Sequence, residues 1–238
     1  MRIENASPSP GNAVNRGVAL STAPNVAVMI DGARMTTPEF IARALELLER
    51  FPNPVVSTIA LHLGPEVQFR AMVKGYDRAE EDRLLETIGW PSAGYRLFEI
   101  GVLAPSSRKG WFAPLAESNL VFMPRAAFDR LGGMDEQFAI RGGGFVNLDF
   151  YKRACEQPAS QLFCLLGEAT FHQIHGGVMT NRPEELARAE LEDYNLEYER
   201  IRQKPFERSP RMHMLYGEAR PEAMQLVRDT AELMLVAS

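Results

Sequence analysis

The chain has 238 residues, of which 45% are hydrophobic and 24% are charged. These fractions are close to those of globular proteins, so they exclude a chain that is disordered throughout, a collagen-like repeat and a disulfide scaffold. Lysine and arginine contribute 26 residues against 31 aspartates and glutamates, and the net charge of −5 provides no general attraction to nucleic acid. We therefore expect a globular protein whose partner is not a nucleic acid.

Cysteine usage and hydropathy bear on the compartment of the protein. The two cysteines, Cys155 and Cys164, form no CxxC pair and cannot build a four-thiolate zinc site. No apolar run approaches the roughly 18 residues that cross a bilayer, and the N-terminus lacks the apolar centre of a signal peptide. The sequence therefore predicts a cytoplasmic protein without a transmembrane segment.

The first predicted elements alternate between helix and strand. Residues 1–11 are polar and rich in serine and proline, which predicts a disordered leader. Residues 12–23 have helical spacing, and the apolar run 26–30 is typical of a strand buried in a parallel sheet. Pro38 begins a second helix, and residues 55–61 form the next strand. This order predicts an α/β sandwich of parallel strands.

The rest of the chain is less regular. Residues 64–116 combine one helix with long loops, and long loops in a compact domain are usually functional. From residue 183 the chain is highly charged with a helical pattern, so we expect a helical C-terminal extension (183–238) after a domain that spans residues 12–182. The other predicted helices cover residues 78–88, 124–131 and 148–156, and the other predicted strands cover residues 119–123 and 161–166.

Asp31 directly follows the first predicted strand. In open α/β sheets, ligands bind at the carboxyl ends of the strands, so a carboxylate at this position is a candidate ligand-binding group. The alternative is that Asp31 only shapes a turn with Gly32.

Two histidines follow the last predicted strand, in the segment FHQIHGG at residues 171–177. Neutral imidazole is a good ligand for a transition metal, so His172 and His175 are candidate metal ligands. An extended backbone would send the two side chains to opposite sides, but a turn or helix would bring them together. The alternative is that one histidine forms a hydrogen bond in the core and the other is exposed.

Three acidic residues cluster around glycines between residues 117 and 153. Asp135, Glu136 and Asp149 lie near glycine pairs, where the backbone approaches a ligand closely and carboxylates orient sugar hydroxyls or accept a proton. The alternative is that GGMDE is the end of a helix followed by a capping acid.

Four segments are informative when they are taken in order. They are NAVNRGVALSTAPNVAVMIDGA (12–33), RAAFDRLGGMDEQF (125–138), GGGFVNLDFYKRA (142–154) and LLGEATFHQIH (165–175). Together they resemble glycosyltransferases of the GT-A fold, most closely the family 2 group. The first segment is similar to that family's Asn-bearing helix and the strand that delivers its Asp-x-Asp motif. The others resemble the segment before the acceptor site, the Gly-Gly-Glu-Asp helix, and the strand whose downstream histidine helps to hold the metal.

The resemblance implies an α/β fold of the GT-A (Rossmann-like) type, with a mixed, mostly parallel sheet flanked by helices. It implies transfer of a sugar from a nucleotide-diphosphate donor to a carbohydrate or other hydroxyl acceptor, assisted by Mn²⁺ or Mg²⁺. The implied metal ligands are Asp31, His172 and His175. The implied donor-binding residues are Asn12, Asn15, Asp31, Arg34 and Asn119. The implied acceptor-side and catalytic residues are Asp135, Glu136 and Asp149.

The chain departs from the family pattern at two motifs. The Asp-x-Asp position reads Asp31-Gly32-Ala33, and Val146-Asn147 stands at the Glu-Asp position, where inverting members usually carry the general base. The run Asn147-Leu148-Asp149 is closer to the Asn-Leu-Glu of retaining polypeptide N-acetylgalactosaminyltransferases. The sequence therefore leaves the stereochemical outcome open.

A further departure concerns the N-terminal side. Family members place additional βα units before the Asn-bearing helix, and these form the nucleobase pocket. We therefore expect a larger polypeptide or a second chain to complete the sheet.

Two alternatives to a glycosyltransferase follow from the same residues. One is a non-catalytic sugar- or partner-binding module derived from an incomplete glycosyltransferase. The other is a metal-dependent hydrolase that uses Asp31, His172 and His175. Both enzyme hypotheses require Asp31 and the two histidines to converge beside one cleft.

Overall fold

Within the residues that the structure describes, a mixed seven-stranded sheet flanked by helices organises the chain. The structure is a computed structural model, and it describes residues 3–4, 6–30, 33–176 and 184–236. The strands are β1 Asn25–Met29, β2 Arg34–Thr36, β3 Pro54–Leu63, β4 Gly101–Leu103, β5 Leu120–Pro124, β6 Gln161–His172 and β7 Met214–Gly217. The α-helices are α1 Gly11–Leu20, α2 Phe40–Arg50, α3 Gln68–Val73, α4 Arg78–Thr87, α5 Arg125–Leu131, α6 Val146–Glu156, α7 Glu184–Arg202 and α8 Met224–Val236. The predicted α/β class is confirmed.

β3 and β6 form the parallel pair at the centre of the sheet. Their register runs from Pro54 opposite Gln161 to His62 opposite His172. β5 pairs antiparallel with both β1 and β3, so β1 runs in the same direction as β3. The other side of β6 is shared: β7 pairs with residues 163–166, and β2 pairs antiparallel with the end of the strand.

The expectation of a mostly parallel sheet is wrong. Four of the six strand pairings among the described residues are antiparallel. β1 and β3 are parallel to each other, but they are not neighbours, because β5 lies between them. A short apolar run indicates burial on both faces and fits either strand direction, so the sequence pattern did not reveal the order or direction of the strands.

Apolar side chains cover both faces of the central strands. All ten residues of β3 are buried, which matches its almost continuous apolar sequence. On one face, α2 packs Phe40, Ala44 and Leu47 against the sheet. On the other face, Trp111 and Phe150 belong to a larger core. At about 25 cal/mol per Å² of buried apolar surface, these two layers provide the main driving force for folding.

β1 is an edge strand. Among the described residues it pairs only with β5. Val26 and Val28 face the core, whereas Ala27 and Met29 are exposed on the other face. The expectation that another chain or segment completes the sheet here stays a prediction.

The C-terminal segment is part of this architecture. α7 and α8 agree with the helical pattern, but β7 lies between them and joins the sheet, which the sequence analysis missed. Tyr198 of α7 is buried, with ring contacts to Phe138, Phe145 and Phe206. The charged surface of α7 therefore hides an aromatic face that packs on the sheet domain.

The predicted leader is also partly packed. Ser9 is buried, and the Pro8 carbonyl accepts a hydrogen bond of 3.3 Å from the Gly142 N–H. A Cβ on Gly143 would lie 2.7 Å from the ring of Pro10, so the leader contacts the glycine loop closely. Residues 8–10 therefore pack against the domain, which differs from the expectation of a leader that is disordered over residues 1–11.

The helices of the chain also bear on membrane crossing. None of those in the described ranges combines the length and the apolar character that a membrane span requires.

The strand β6 is irregular where its outer edge passes from β7 to β2. The register with β3 shifts between Ser57 and Ile59. Gly167 has a φ of +79°, and a Cβ there would lie 2.1 Å from the Glu218 carbonyl oxygen. Glycine is therefore required at this position, both for its conformation and for the close approach of the chain that leads out of β7.

Burial of Tyr198 predicts a large cost for its removal. We expect Tyr198→Ala to lower the free energy of unfolding by roughly 3–5 kcal/mol, because a large buried aromatic ring is lost. Leu196→Ala on the same helix is the matched control: Leu196 is 59% exposed, and its truncation should change stability by less than about 0.5 kcal/mol. Urea denaturation measures both. If both substitutions changed the free energy of unfolding by the same small amount, α7 would not pack in the hydrophobic core.

Glu168 predicts a pH-dependent stability. Burial raises the pKa of Glu168, although hydrogen bonds from Thr37 and Tyr95 oppose the shift. The folded chain therefore binds the proton of Glu168 more tightly than the unfolded chain does. The stability that this proton contributes is fully present below the unfolded pKa of about 4.3, and it is lost as the pH rises through the folded pKa. We expect Glu168→Gln to gain stability relative to the natural chain between pH 4 and pH 8. A constant difference across that range, measured beside the exposed control Glu49→Gln, would contradict this.

Candidate functional site

Three strands end at the same edge of the sheet. β1, β3 and β6 run in one direction and finish at Met29, Leu63 and His172. The carboxyl edge of such strands is where open α/β sheets bind ligands. The polar residues at this edge are therefore candidates for binding a ligand.

The two predicted histidines come together at this edge. β6 ends at His172, the chain turns, and the Nε2 atoms of His172 and His175 face each other at 3.1 Å. His172 is buried and His175 is exposed. The pair therefore has one fixed member and one member that solvent reaches.

Gln68 fixes the orientation of His172. Its amide nitrogen donates to the His172 carbonyl at 2.8 Å, and its Oε1 lies 2.6 Å from Nδ1 of the same histidine. Because an amide oxygen only accepts, Nδ1 carries the proton, and Nε2 of His172 presents its lone pair toward His175. Metal-binding histidines commonly have such a partner on the other ring nitrogen.

A third histidine lies beside the pair, and the sequence analysis missed it. His62 is opposite His172 in the β3–β6 register, with ring centroids 5.6 Å apart, and its Nδ1 accepts from the Gln68 N–H at 3.0 Å. Burial lowers the pKa of His62 to about 3, and electrostatic interactions with His172 and Arg34 lower it further. His62 is therefore neutral. Only the pairing of two distant strands places it here.

Arg34 lies at the same edge, as the first residue of β2 opposite His172. Its Nε donates to the Ile30 carbonyl at 3.0 Å. Asn119 is buried beside the end of β1, where its carbonyl accepts from the Ile30 N–H at 2.9 Å. Arg34 and Asn119, two of the predicted donor-binding residues, therefore border the carboxyl end of β1.

Asp31 lies outside the described residues, so its predicted convergence with the histidines stays a prediction. The Gln173 N–H donates to the Ala33 carbonyl at 2.9 Å, which places Ala33 next to the end of β6. Across residues 3–30, 33–176 and 184–236, with residue 5 excepted, no group of three His, Cys, Asp or Glu side chains is arranged to hold a metal ion.

Asn12 and Asn15 contact Glu136. Their side-chain amides donate to the two carboxylate oxygens of Glu136, each at 2.8 Å. Asn15 also bonds both the N–H and the carbonyl of Met134 at 2.9 Å. Gly133 allows this approach, because a Cβ there would lie 2.4 Å from the amide oxygen of Asn15. These asparagines therefore join α1 to the loop after α5.

Asp149 is held by two arginines. Its side chain is 1% exposed, and it pairs with Arg153 at 2.7 Å and with Arg202 at 2.6 Å. Arg202 also pairs with Asp135 at 2.8 Å. Arg153 donates to the carbonyls of Leu131 and Gly133 as well. This buried network joins α6, α7 and the loop after α5.

The hydrogen bonds in this network affect the basicity of the predicted catalytic acids. Burial alone would raise the pKa of Asp135, but hydrogen bonds from the Gln137 N–H and Arg202 outweigh it and lower the pKa. Hydrogen bonds from Asn15 and Asn12 lower the pKa of Glu136. Carboxylates held in this way are weak bases near neutral pH.

A cleft of about 380 Å³ opens beside the network. Its lining residues are Asn15, Leu131, Gly132, Gly133, Met134, Asp135, Glu136, Arg153 and Arg202. The predicted residues Asn12, Asn15, Asp135 and Glu136 are thus brought together, with Asp149 beneath them. No hydrogen bond or ion pair found in the described part of the chain joins this group to the histidines.

Glu117 is a carboxylate that the sequence analysis did not single out. Its Oε2 accepts from the Asn147 amide at 2.8 Å, and Ser118 next to it bonds the backbone of Thr58 on β3. Asn147 is buried, and in the described structure its Oδ1 has no hydrogen-bond partner. In the sequence, the signal for Glu117 was the pair Val146-Asn147, which stands where the resembling family carries Glu-Asp. Asn147 at this position contacts a carboxylate that another segment supplies.

Comparison with known proteins adds no assignment to this geometry. No protein-family profile and no curated protein sequence matches the chain. A functional interpretation therefore depends on the chemistry of the residues at the two groups described above.

The two ion pairs that hold Asp149, which we call the clamp, predict how substitutions change the free energy of unfolding. We expect Arg202→Met to lower the free energy of unfolding by roughly 3 kcal/mol, because a buried carboxylate loses one of its two cationic partners. Adding Asp149→Asn to Arg202→Met should recover part of that loss, since the charge that lacks a partner is removed. Arg200→Met, at an exposed position on the same helix, is the control. Strictly additive effects in this double-mutant cycle would contradict the clamp.

Proposed function

We propose that the chain is a glycosyltransferase domain that transfers a sugar from a nucleotide-diphosphate donor to a hydroxyl acceptor with the help of a divalent metal ion. The proposal is supported by the order of the four resembling segments, by the α/β sheet, and by the position of the histidine pair at the carboxyl edge of β6. Mn²⁺ fits best among the candidate ions, because imidazole favours it over Mg²⁺.

The observation that carries the proposal is the separation of the two histidine nitrogens. Metal–imidazole bonds are about 2.1 Å long, so two such ligands at adjacent positions on one ion have nitrogens about 3 Å apart. The Nε2 atoms of His172 and His175 are 3.1 Å apart, and Gln68 holds the tautomer of His172 that leaves its Nε2 unprotonated. The residues present therefore fit a metal ion held by His172 and His175, with Asp31 as the predicted third ligand.

Each group then has a role in the transfer. The bond between the anomeric carbon and the nucleoside diphosphate breaks, a bond to the acceptor oxygen forms, and the acceptor proton must go to a base. When bound, the ion would neutralise charge on the departing diphosphate. Arg34, beside the end of β1, would contact a phosphate group.

Glu117 is the best candidate base. It is half-buried, and its described hydrogen bond is a single one, from Asn147. Asp149 in contrast is clamped by two arginines, and Asp135 and Glu136 accept several hydrogen bonds. We assign to Asp135, Glu136 and Asp149 the positioning of the loop and helices beside the acceptor rather than proton transfer.

A non-catalytic binding module is the second candidate. The specific observation in its favour is that Asp135, Glu136 and Asp149 all serve as anchors between elements of the fold. Such a module would bind a sugar or a partner at the same edge without turning over a donor.

The proposal predicts metal-dependent activity that requires the histidine pair. With Mn²⁺ and a panel of uridine and guanosine diphosphate sugars, we expect release of nucleoside diphosphate, which chelation abolishes. His172→Ala, His175→Ala and Asp31→Ala should each reduce the rate at least 100-fold. His213→Gln is the control, because His213 bonds the Trp111 carbonyl at 2.7 Å outside this site. Absence of turnover by the natural chain would favour the binding module, and full activity of Asp31→Ala would contradict the proposal.

The role of Glu117 has its own readout. Glu117→Gln should lower the rate of transfer by roughly 10²–10⁴-fold, as loss of a general base does. Glu117→Asp should restore part of the rate. Glu207→Gln, at an exposed glutamate, is the control. An unchanged rate of transfer in Glu117→Gln would exclude Glu117 as the base.

A further inference from the structure

A second polar cleft lies on the loop-rich segment before β5. It has a volume of about 170 Å³ and is lined by residues 105–110, residues 113–116 and Arg208. Three of these residues are cationic, namely Arg108, Lys109 and Arg208, and no acidic residue lines the cleft. We refer to it as the cationic cleft.

The three cations of the cationic cleft have no partners within the described ranges. No hydrogen bond or ion pair of their side chains is found there, whereas Arg153 and Arg202 are fully engaged with carboxylates and carbonyls. Three like charges around one concavity repel each other, and a bound anion offsets that repulsion. This arrangement contrasts with the net charge of −5 of the whole chain.

Hydroxyl groups add neutral donors to the same wall. Ser107 is 2% exposed, and its Oγ accepts from the Ala60 N–H at 2.9 Å. A hydroxyl that accepts one hydrogen bond still has its own proton to donate, and no group in the described structure accepts the proton of Ser107. Ser106 also lines the cleft. The side chains of the cationic cleft thus offer several donors and no carboxylate.

The chemistry and size of the cleft indicate its ligand. Arginine and lysine with neutral donors are the groups that bind phosphate oxygens. Sites for drug-sized ligands usually enclose about 300–1,000 Å³, so the smaller cationic cleft suits one or two phosphate groups rather than a whole nucleotide. We propose that Arg108, Lys109 and Arg208 bind a phosphate group of a substrate.

The position of the cleft connects it with the proposed reaction. Ala116 forms part of its wall, and the next residue is Glu117. The wall of the cleft therefore continues along the chain into the residue that we assign as the base. This placement on a substrate rests on the proposed function, but binding of phosphate by the cleft does not. The phosphate could belong to the donor diphosphate or to a phosphorylated acceptor.

Direct binding tests the proposal without any turnover. Titration of the ¹⁵N-labelled full chain with inorganic phosphate and with pyrophosphate should give saturable amide shifts in residues 106–110. We expect Arg108→Gln combined with Arg208→Gln to weaken binding at least tenfold, and Lys109→Gln alone to weaken it measurably. Arg50→Gln, an exposed cation at the end of α2, is the control and should bind as the natural chain does. Unchanged amide spectra of the variants away from the substitutions establish that they fold.

Competition separates the two sources of phosphate. If a nucleoside diphosphate displaces pyrophosphate from the cleft and perturbs residues near His172, the phosphate is the donor's. If glycerol phosphate displaces pyrophosphate but the nucleoside diphosphate does not, it belongs to the acceptor. Shifts that do not saturate, or equal affinity of the double variant and the Arg50→Gln control, would overturn the proposal. Saturable binding in a chain that never transfers sugar would defeat only the proposed function.

Discussion

The pairing of the buried Asp149 carboxylate with two arginines is the interaction on which the rest of the structure depends. Arg153 of its own helix and Arg202 of α7 meet on it, and Arg202 continues to Asp135. Arg153 reaches the carbonyls that follow α5, where Asn15 of α1 is also bound. A charge removed from water must keep such partners, so the clamp fixes four elements relative to one another. The acidic residues that the sequence analysis gave as catalytic candidates thus also join these elements of the fold.

Several elements could be predicted from the sequence because their apolar patterns are local. The strands at residues 25–29, 54–63 and 120–124 and the helices at residues 40–50 and 125–131 lie close to where the runs of hydrophobic residues indicated. The sequence could not show that β6 continues past Gly167 to His172, since a glycine usually ends such a run. It also could not show β7, whose side chains are half-exposed to exposed and whose burial pattern is therefore weak. Both features depend on pairing between segments far apart in the chain.

The candidate site also combines features that the local sequence indicated with features that depend on pairing between distant segments. The spacing of His172 and His175 allowed for their convergence at a turn, and the structure brings their nitrogens together. His62 and Gln68 complete the group through strand pairing and a buried amide, neither of which leaves a signal in the local sequence. For the acidic residues, the sequence identified groups of the right chemical type. It could not reveal their partners, and the partners decide whether a carboxylate is a base or an anchor.

The shared outer edge of β6 has a consequence for how the polypeptide reaches its native state. One half of that edge is covered by residues 34–36 and the other by residues 214–217. Contacts between segments so distant make the contact order high and folding slow. During synthesis, most of the sheet has left the ribosome before the last strand exists. Until then the outer side of the first half of β6 has a row of unpaired backbone groups, and such a row is a template on which another polypeptide can add a strand.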